Sequence, residues 1–245
     1  MPDTHSNSTR NQRHILVVGG NSGIGRAAVG HLLAQGHQVS AFARTPGDLP
    51  ELGISVTPFD AESATDEALS SAIPDTLDGV LYCPGSITLK PFHRTTDEDF
   101  LRDFQINVLG AARILRAALP SLKNGQDPAV VLFSTVAAST GLGFHASISA
   151  AKSGVEGLCR SLAAEWAPKI RVNAIAPSLT DTPLAANLLN SPEKRELAAG
   201  RHPLSQVGDP NDLAALACTL LSPETRFVTG QVIHADGGLG SVRTF

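Results

Sequence analysis

Residues 15–25 of this 245-residue chain, Ile15-Leu16-Val17-Val18-Gly19-Gly20-Asn21-Ser22-Gly23-Ile24-Gly25, decide its fold. Four consecutive apolar residues running into glycine read as a parallel strand buried on both faces. In the turn that follows, Gly19 permits the tight bend. Gly23 lets backbone approach a pyrophosphate with no Cβ in the way, and Gly25 lets the next helix pack close to the sheet. That helix start offers free N–H groups and the positive end of its dipole to an anion. A plain glycine-rich turn would need neither neighbour. The strand before it and the helix after it favour a dinucleotide-binding turn formed by Gly19, Asn21, Ser22, Gly23, Ile24 and Gly25.

Working outward, the helix extends from Arg26 to Gln35, and Gly36 stops it. Strands are expected at 38–43, 54–59 and 79–82, with a short helix over 61–73. Thr96 and Asp99 have capping-box spacing. From there a helix over 97–119 carries Leu101, Phe104, Val108, Ala111, Leu115 and Ala118 as a single apolar stripe. A strand at 129–133 leads to a helix over 147–166 that ends before Pro168. Strands at 171–175 and 231–235 flank a helix over 210–221. Parallel strands need helical crossovers, so this alternation implies an α/β fold: one Rossmann-type, doubly wound parallel sheet with helices on both faces, spanning 14–245. Residues 1–13 have no apolar core for a signal peptide and read as a disordered tail.

Composition narrows the function classes. A net charge of -4 with no basic run disfavours nucleic acid as the main partner. No apolar stretch approaches the ~20 residues that span a bilayer, so no membrane partner is expected. Cys83, Cys159 and Cys218 are scattered and unpaired in sequence. They read as reduced thiols of a cytoplasmic protein, with no metal site. The second strand ends in Ala43-Arg44, where an acid would accept from a ribose 2′-hydroxyl and repel a 2′-phosphate. The missing acid and the guanidinium of Arg44 favour NADP over NAD, although a lone loop arginine is often only a solvated surface residue.

Several motifs together resemble the short-chain dehydrogenase/reductase family, over residues 14–240. Gly19-xxx-Gly23-Ile24-Gly25 is similar to its glycine motif. The resemblance implies adenine contact at Asp60, and Tyr82-Cys83-Pro84-Gly85 stands where the family has Asn-Asn-Ala-Gly, keeping only Gly85. Asn107 matches the catalytic asparagine. Asn173-Ala174-Ile175-Ala176-Pro177-Ser178 is similar to Asn-Ala-(Val/Ile)-x-Pro-Gly, with serine replacing the glycine at 178. Pro177 falls among the implied cofactor contacts, and Thr182 corresponds to the residue that bonds the nicotinamide carboxamide. The end of the chain, Thr229 to Gly238, resembles bacterial β-ketoacyl carrier-protein reductases.

The implied catalytic set is incomplete. Lys152 fits the family's lysine, but four residues earlier, where its tyrosine stands, is Ile148. Thr135, thirteen residues before Ile148 and preceded by Ser134, fits the catalytic hydroxyl. Isoleucine cannot donate the proton that a reduced carbonyl needs, and a general acid contributes ~10²–10⁴-fold. Lys152 would then keep a ribose-binding role. His145, seven residues before Lys152, matches the tyrosine spacing of the divergent enoyl-reductase branch and has an imidazole suited to acid–base work; a surface histidine is the plainer reading. Tyr82 is expected to pack beside the adenosine.

Three function classes follow. The first is an NADP-dependent oxidoreductase with an altered tetrad acting on a small molecule. The second is a catalytically degenerate nucleotide-binding sensor or scaffold. The third is a non-redox enzyme on the same fold. Retention of Asn107, Thr135, Lys152 and Thr182 favours the first. By resemblance, the two long helices form a homodimer or homotetramer interface, and 184–203 is a mobile substrate lid with apolar Leu184, Leu188 and Leu189.

Overall fold

The computed structural model describes residues 12–65 and 69–244. Seven parallel strands lie in the order β3-β2-β1-β4-β5-β6-β7. They are β1 (His14–Val18), β2 (Gln38–Ala43), β3 (Val56–Pro58), β4 (Gly79–Tyr82), β5 (Ala129–Phe133), β6 (Arg171–Pro177) and β7 (Val232–Ala235). The helices are α1 (Gly23–Ala34), α2 (Asp97–Phe104), α3 (Gly110–Lys123), α4 (Ala146–Trp166), α5 (Pro192–Ala199) and α6 (Pro210–Leu221). The strand order reverses direction beside β1, so the crevice beyond the ends of β1 and β4 is the switch point at which such sheets bind ligands.

Alternation along β1 builds two cores. Leu16 and Val18 pack with Val130, Leu132, Ile114, Leu115 and Val155 on the α3–α4 face. Ile15 and Val17 pack with Val29, Leu32, Leu213 and Leu221 on the α1–α6 face. The continuous apolar runs of the central strands are thus explained by helices on both faces. Among the described residues no helix is long and apolar enough to cross a membrane, and no cluster of side chains suits a metal ion.

The structure corrects several sequence expectations. Residues 1–11 lie outside the described residues, but Arg13, assigned to the tail, is buried. Its guanidinium donates to the carbonyls of Leu221 (2.5 Å), Asp78 (2.6 Å) and Asp127 (3.0 Å), tying it to the sheet. Of the helix expected over 61–73, residues 66–68 lie outside the described residues, and the rest shows a turn at 61–63, a helical end at Leu69-Ser70 and a turn at 71–72. The strand over 54–59 shortens to Val56–Pro58, at the sheet edge, where a proline costs no ladder bond.

The most informative correction concerns the helix over 97–119. The Thr96–Asp99 capping box forms as expected. After α2, however, Gln105–Leu109 adopts a π turn before α3 continues past Pro120 to Lys123. One extra residue rotates the helical face by roughly 100°. The apolar stripe is therefore split: Val108, Ala111, Leu115 and Ala118 face the core, whereas Leu101 and Phe104 face outward. Asp103 takes the inward position instead, with no exposure at all.

Candidate functional site

The carboxyl ends of β1, β4, β5 and β6 deliver Gly19, Cys83, Ser134 and Ser178 to one edge of the sheet. Two connected spaces open there. A groove of about 530 Å³ is lined by Gly19, Asn21, Ser22, Gly23, Ile24, Gly25, Arg44, Asp60 and Gly85. A cavity of about 600 Å³ is lined by Thr135, His145, Ile148, Lys152, Pro177 and Ser178. Gly85 and Thr182 border both and mark the junction.

The groove needs its glycines. A Cβ on Gly25 would collide with the Gly19 carbonyl, so only glycine lets α1 start this close to β1. Gly23 has φ +52°, and a Cβ there would stand 3.2 Å from Thr182 Cγ2. Asn21 Nδ2 donates to Thr45 Oγ1 (3.0 Å), linking this turn to the loop that carries Arg44. Arg44 is exposed on the rim. In the same loop Asp48 is engaged by the Arg26 guanidinium at 2.8 Å. At the other end of the groove, Asp60 Oδ1 accepts from the Glu62 amide (3.0 Å), and Glu62 pairs with Arg102 at 3.3 Å.

At the junction, the π turn points Asn107 inward. Its Nδ2 donates to the Asp103 carbonyl (2.7 Å) and to Ser86 Oγ (2.9 Å). Its Oδ1 is buried with no hydrogen-bond partner. Lys152 Nζ donates to the Phe133 carbonyl (2.8 Å). Burial brings this ammonium down to about 8, with Cys83 and Asp103 pulling the other way. A Cβ on Gly85 would stand 3.5 Å from both Asn107 Oδ1 and Lys152 Nζ. The missing side chain of Gly85 therefore leaves open the place toward which both groups face.

Beyond the junction, Thr135 Oγ1 lies 3.4 Å from the Pro177 carbonyl and accepts from the Ala137 amide. His145 stands at the N-cap position of α4 in the cavity wall, half-buried, with Nδ1 2.6 Å from the Gly143 carbonyl rather than on the helix amides. Ile148 is 5% exposed and lines the cavity one helical turn before Lys152. The structure thus gathers Thr135, His145 and Lys152 around one cavity, with Asn107 buried beside Gly85 at its junction with the groove. It does not bring Tyr82 there. The Tyr82 hydroxyl donates to the Ile106 carbonyl (2.6 Å) beneath the π turn, and its ring lies in the core, so the expected packing against an adenosine is corrected.

Sequence reasoning missed a buried carboxylate. Asp103 accepts from Ser86 Oγ (2.6 Å), Thr88 Oγ1 (2.9 Å) and Ser147 Oγ (2.7 Å), which anchors α2 to the start of α4 and to the loop after β4. It also missed His202, whose ring joins Ser178 in the cavity wall. The serine at 178 was visible as a departure from a motif; nothing in the sequence marked its partner.

The chain is similar to known proteins over nearly its whole length. Residues 18–240 match the family model described as enoyl-(acyl carrier protein) reductase. A tropinone reductase homolog of Arabidopsis thaliana is 34% identical over 239 residues, covering 91% of each chain. The 3-oxoacyl-[acyl-carrier-protein] reductase MabA of Mycobacterium bovis is 31% identical over 235 residues, covering 93% of each. Among solved structures, a short-chain type dehydrogenase/reductase from Mycobacterium ulcerans superposes with a TM-score of 0.86 at 32% identity, covering 94% of this chain and 90% of that one. ElxO with NADP bound superposes at 0.85 with 25% identity, covering 94% and 99%.

Proposed function

The chain belongs to the short-chain dehydrogenase/reductase family, and from that premise we propose that it is an NADP(H)-dependent oxidoreductase interconverting a carbonyl and an alcohol on a small, largely apolar molecule. The observation that carries this reading is the junction: a buried cation, Lys152 Nζ, and an unpartnered buried acceptor, Asn107 Oδ1, face one open place beside Gly85. An orphaned buried acceptor costs roughly 1–3 kcal/mol unless a ligand or water meets it. The residues present fit a nicotinamide dinucleotide, since the glycine turn forms a cradle that side chains would fill.

When bound, that dinucleotide supplies the hydride donor or acceptor. The chain does the rest. The α1 N-terminus holds the pyrophosphate with Gly19, Asn21, Ser22, Gly23, Ile24 and Gly25. Arg44 takes the 2′-phosphate and Asp60 the adenine amino group. Lys152 holds the ribose, while Thr182 and Pro177 hold the nicotinamide end. Thr135 donates to the substrate oxygen. Ile148 fills the cavity wall and keeps water from it, but moves no proton. His145 stands at the cavity as a candidate acid.

The assembled protein is proposed to be a cytoplasmic homodimer or homotetramer. NADP over NAD rests on Arg44 and on the engagement of Asp48 by Arg26. Calorimetric titration tests it: NADPH should bind at least about tenfold tighter than NADH, a difference of about 1.4 kcal/mol. Arg44→Asp should reverse the order. Equal affinities in the wild type would remove Arg44 from the site. A second reading, a nucleotide sensor without turnover, is favoured by Ile148 and by Cys83-Pro84 in place of the family's residues; tight NADPH binding with no reduction of any activated ketone would establish it.

A further inference from the structure

Two polar side chains in the cavity wall are bonded to each other and have no part in the scheme above. His202 is buried, 4% exposed, just beyond α5. Its Nδ1 lies 2.9 Å from the Ala198 carbonyl and its Nε2 2.8 Å from Ser178 Oγ. A carbonyl oxygen can only accept, so Nδ1 carries the hydrogen. In the neutral ring, Nε2 then accepts from the Ser178 hydroxyl. The same geometry serves the imidazolium: Nε2–H donates to Ser178 Oγ, and the serine hydrogen is free to turn into the cavity. Gly237 packs against the ring, since a Cβ there would stand 3.3 Å from His202 Cδ2.

The position of Ser178 matters as much as its partner. It directly follows Pro177, whose carbonyl lies 3.4 Å from the Thr135 hydroxyl. Ser178, Thr135 and Ile148 line one cavity, so the chain's departures at 148 and 178 face the same space. Among the described residues no carboxylate lines that cavity; the cations Lys152, Lys194 and Arg201 do, with His145 and His202. Asp236, near Gly237, has its carboxylate oxygens occupied by the amides of Gly238 and Gly240.

We propose that Ser178 and His202 form the proton relay that replaces the missing acid at position 148. The inference rests on the oxidoreductase reading above. As hydride reaches the carbonyl carbon, the substrate oxygen takes the hydrogen of Ser178 Oγ, and Oγ takes that of His202 Nε2. One O–H bond forms on the product, the Oγ–H bond is broken and remade, and the Nε2–H bond is broken. The ring is left neutral with Nδ1–H still on Ala198, and solvent restores its proton. Alcohol oxidation runs the same transfers in reverse. Ser178 is the catalytic residue of the pair; His202 acts through it.

The test uses the full chain, NADPH and 2,2,2-trifluoroacetophenone. Ser178→Ala and His202→Ala should each lower kcat about 100-fold, the order expected for a lost general acid, with NADPH affinity unchanged. Added imidazole should restore His202→Ala but not Ser178→Ala. Ser178→Ala removes one oxygen and keeps the proposal testable if His202→Ala fails to fold. Wild-type kcat in Ser178→Ala, or a comparable loss appearing in His145→Ala instead, overturns the relay. A second readout needs no turnover: in ¹⁵N-histidine NMR, 2,2,2-trifluoro-1-phenylethanol should shift the His202 Nε2 resonance in wild type and not in Ser178→Ala. An unmoved resonance also overturns it. If the wild type binds NADPH and reduces nothing, the oxidoreductase reading fails, and the NMR titration still decides whether the pair meets a ligand.

Discussion

Ile148 is held in the wall of a cavity rather than in a sealed core, with Lys152 one turn further along α4. A phenol placed there would overpack by roughly 1–3 kcal/mol if nothing gave way, but it borders about 600 Å³ of open space. It would also meet an ammonium, and a nearby cation lowers a phenol's pKa. Ile148→Tyr is therefore expected to fold and to raise NADPH-dependent reduction of trifluoroacetophenone. Placed in Ser178→Ala, it should recover most of the lost rate, because one acid substitutes for another. Steady-state rates of the single and double variants check this; no gain in either, with melting unchanged, would mean that position 148 does not reach the substrate oxygen. Asn107, Thr135 and Lys152 were legible in the sequence because fixed spacings carry them. The Ser178–His202 pair was not, because 24 residues and two intervening short helices separate its members. Asp103 was invisible for another reason. On a surface helix an aspartate reads as solvated, and only the π turn makes its position an inward one.

Most elements were legible too, since most central strands are continuous apolar runs and most helices have a cap or a stop, although Asn173 interrupts β6. Failures fell where hydrophobic periodicity is not the deciding force. The π turn at 105–109 is one: a helical template with a constant period cannot show where one extra residue enters. Its consequence is that Leu101, 69% exposed, and Phe104, 43% exposed, leave the core and form an outward apolar face on α2. Apolar surface of this kind marks contact sites when it is contiguous. Leu101→Asp with Phe104→Asp should shift the protein toward monomer in sedimentation velocity at micromolar concentration, relative to a dimeric or larger wild type. A monomeric wild type would remove the oligomer proposal altogether.

Across the whole molecule, the two edges of the sheet carry separate duties. The edge at the strand starts is fastened by Arg13 and by Asp78, whose carboxylate receives the amides of His14 (2.8 Å) and Gln126 (2.7 Å). The edge at the strand ends holds the groove and the cavity. The parallel order follows from alternation alone, but the anchoring role of Arg13 does not, because a charge beside a polar segment reads as solvated. Tyr82 lies between these two edges as the chain's single tyrosine. Burial pushes its phenol far above the ordinary value, and its hydrogen is held by the Ile106 carbonyl. A group whose pKa is raised on folding contributes its stability in full below its unfolded value of ~10 and loses it as pH climbs beyond. The ultraviolet signature of tyrosinate should therefore be withheld from the native protein and released all at once, together with the loss of helical circular dichroism. A gradual one-proton titration near ~10 in a still-helical protein would show the ring to be reachable by hydroxide. A single tyrosine would thus make alkaline spectrophotometry a label-free readout of global opening.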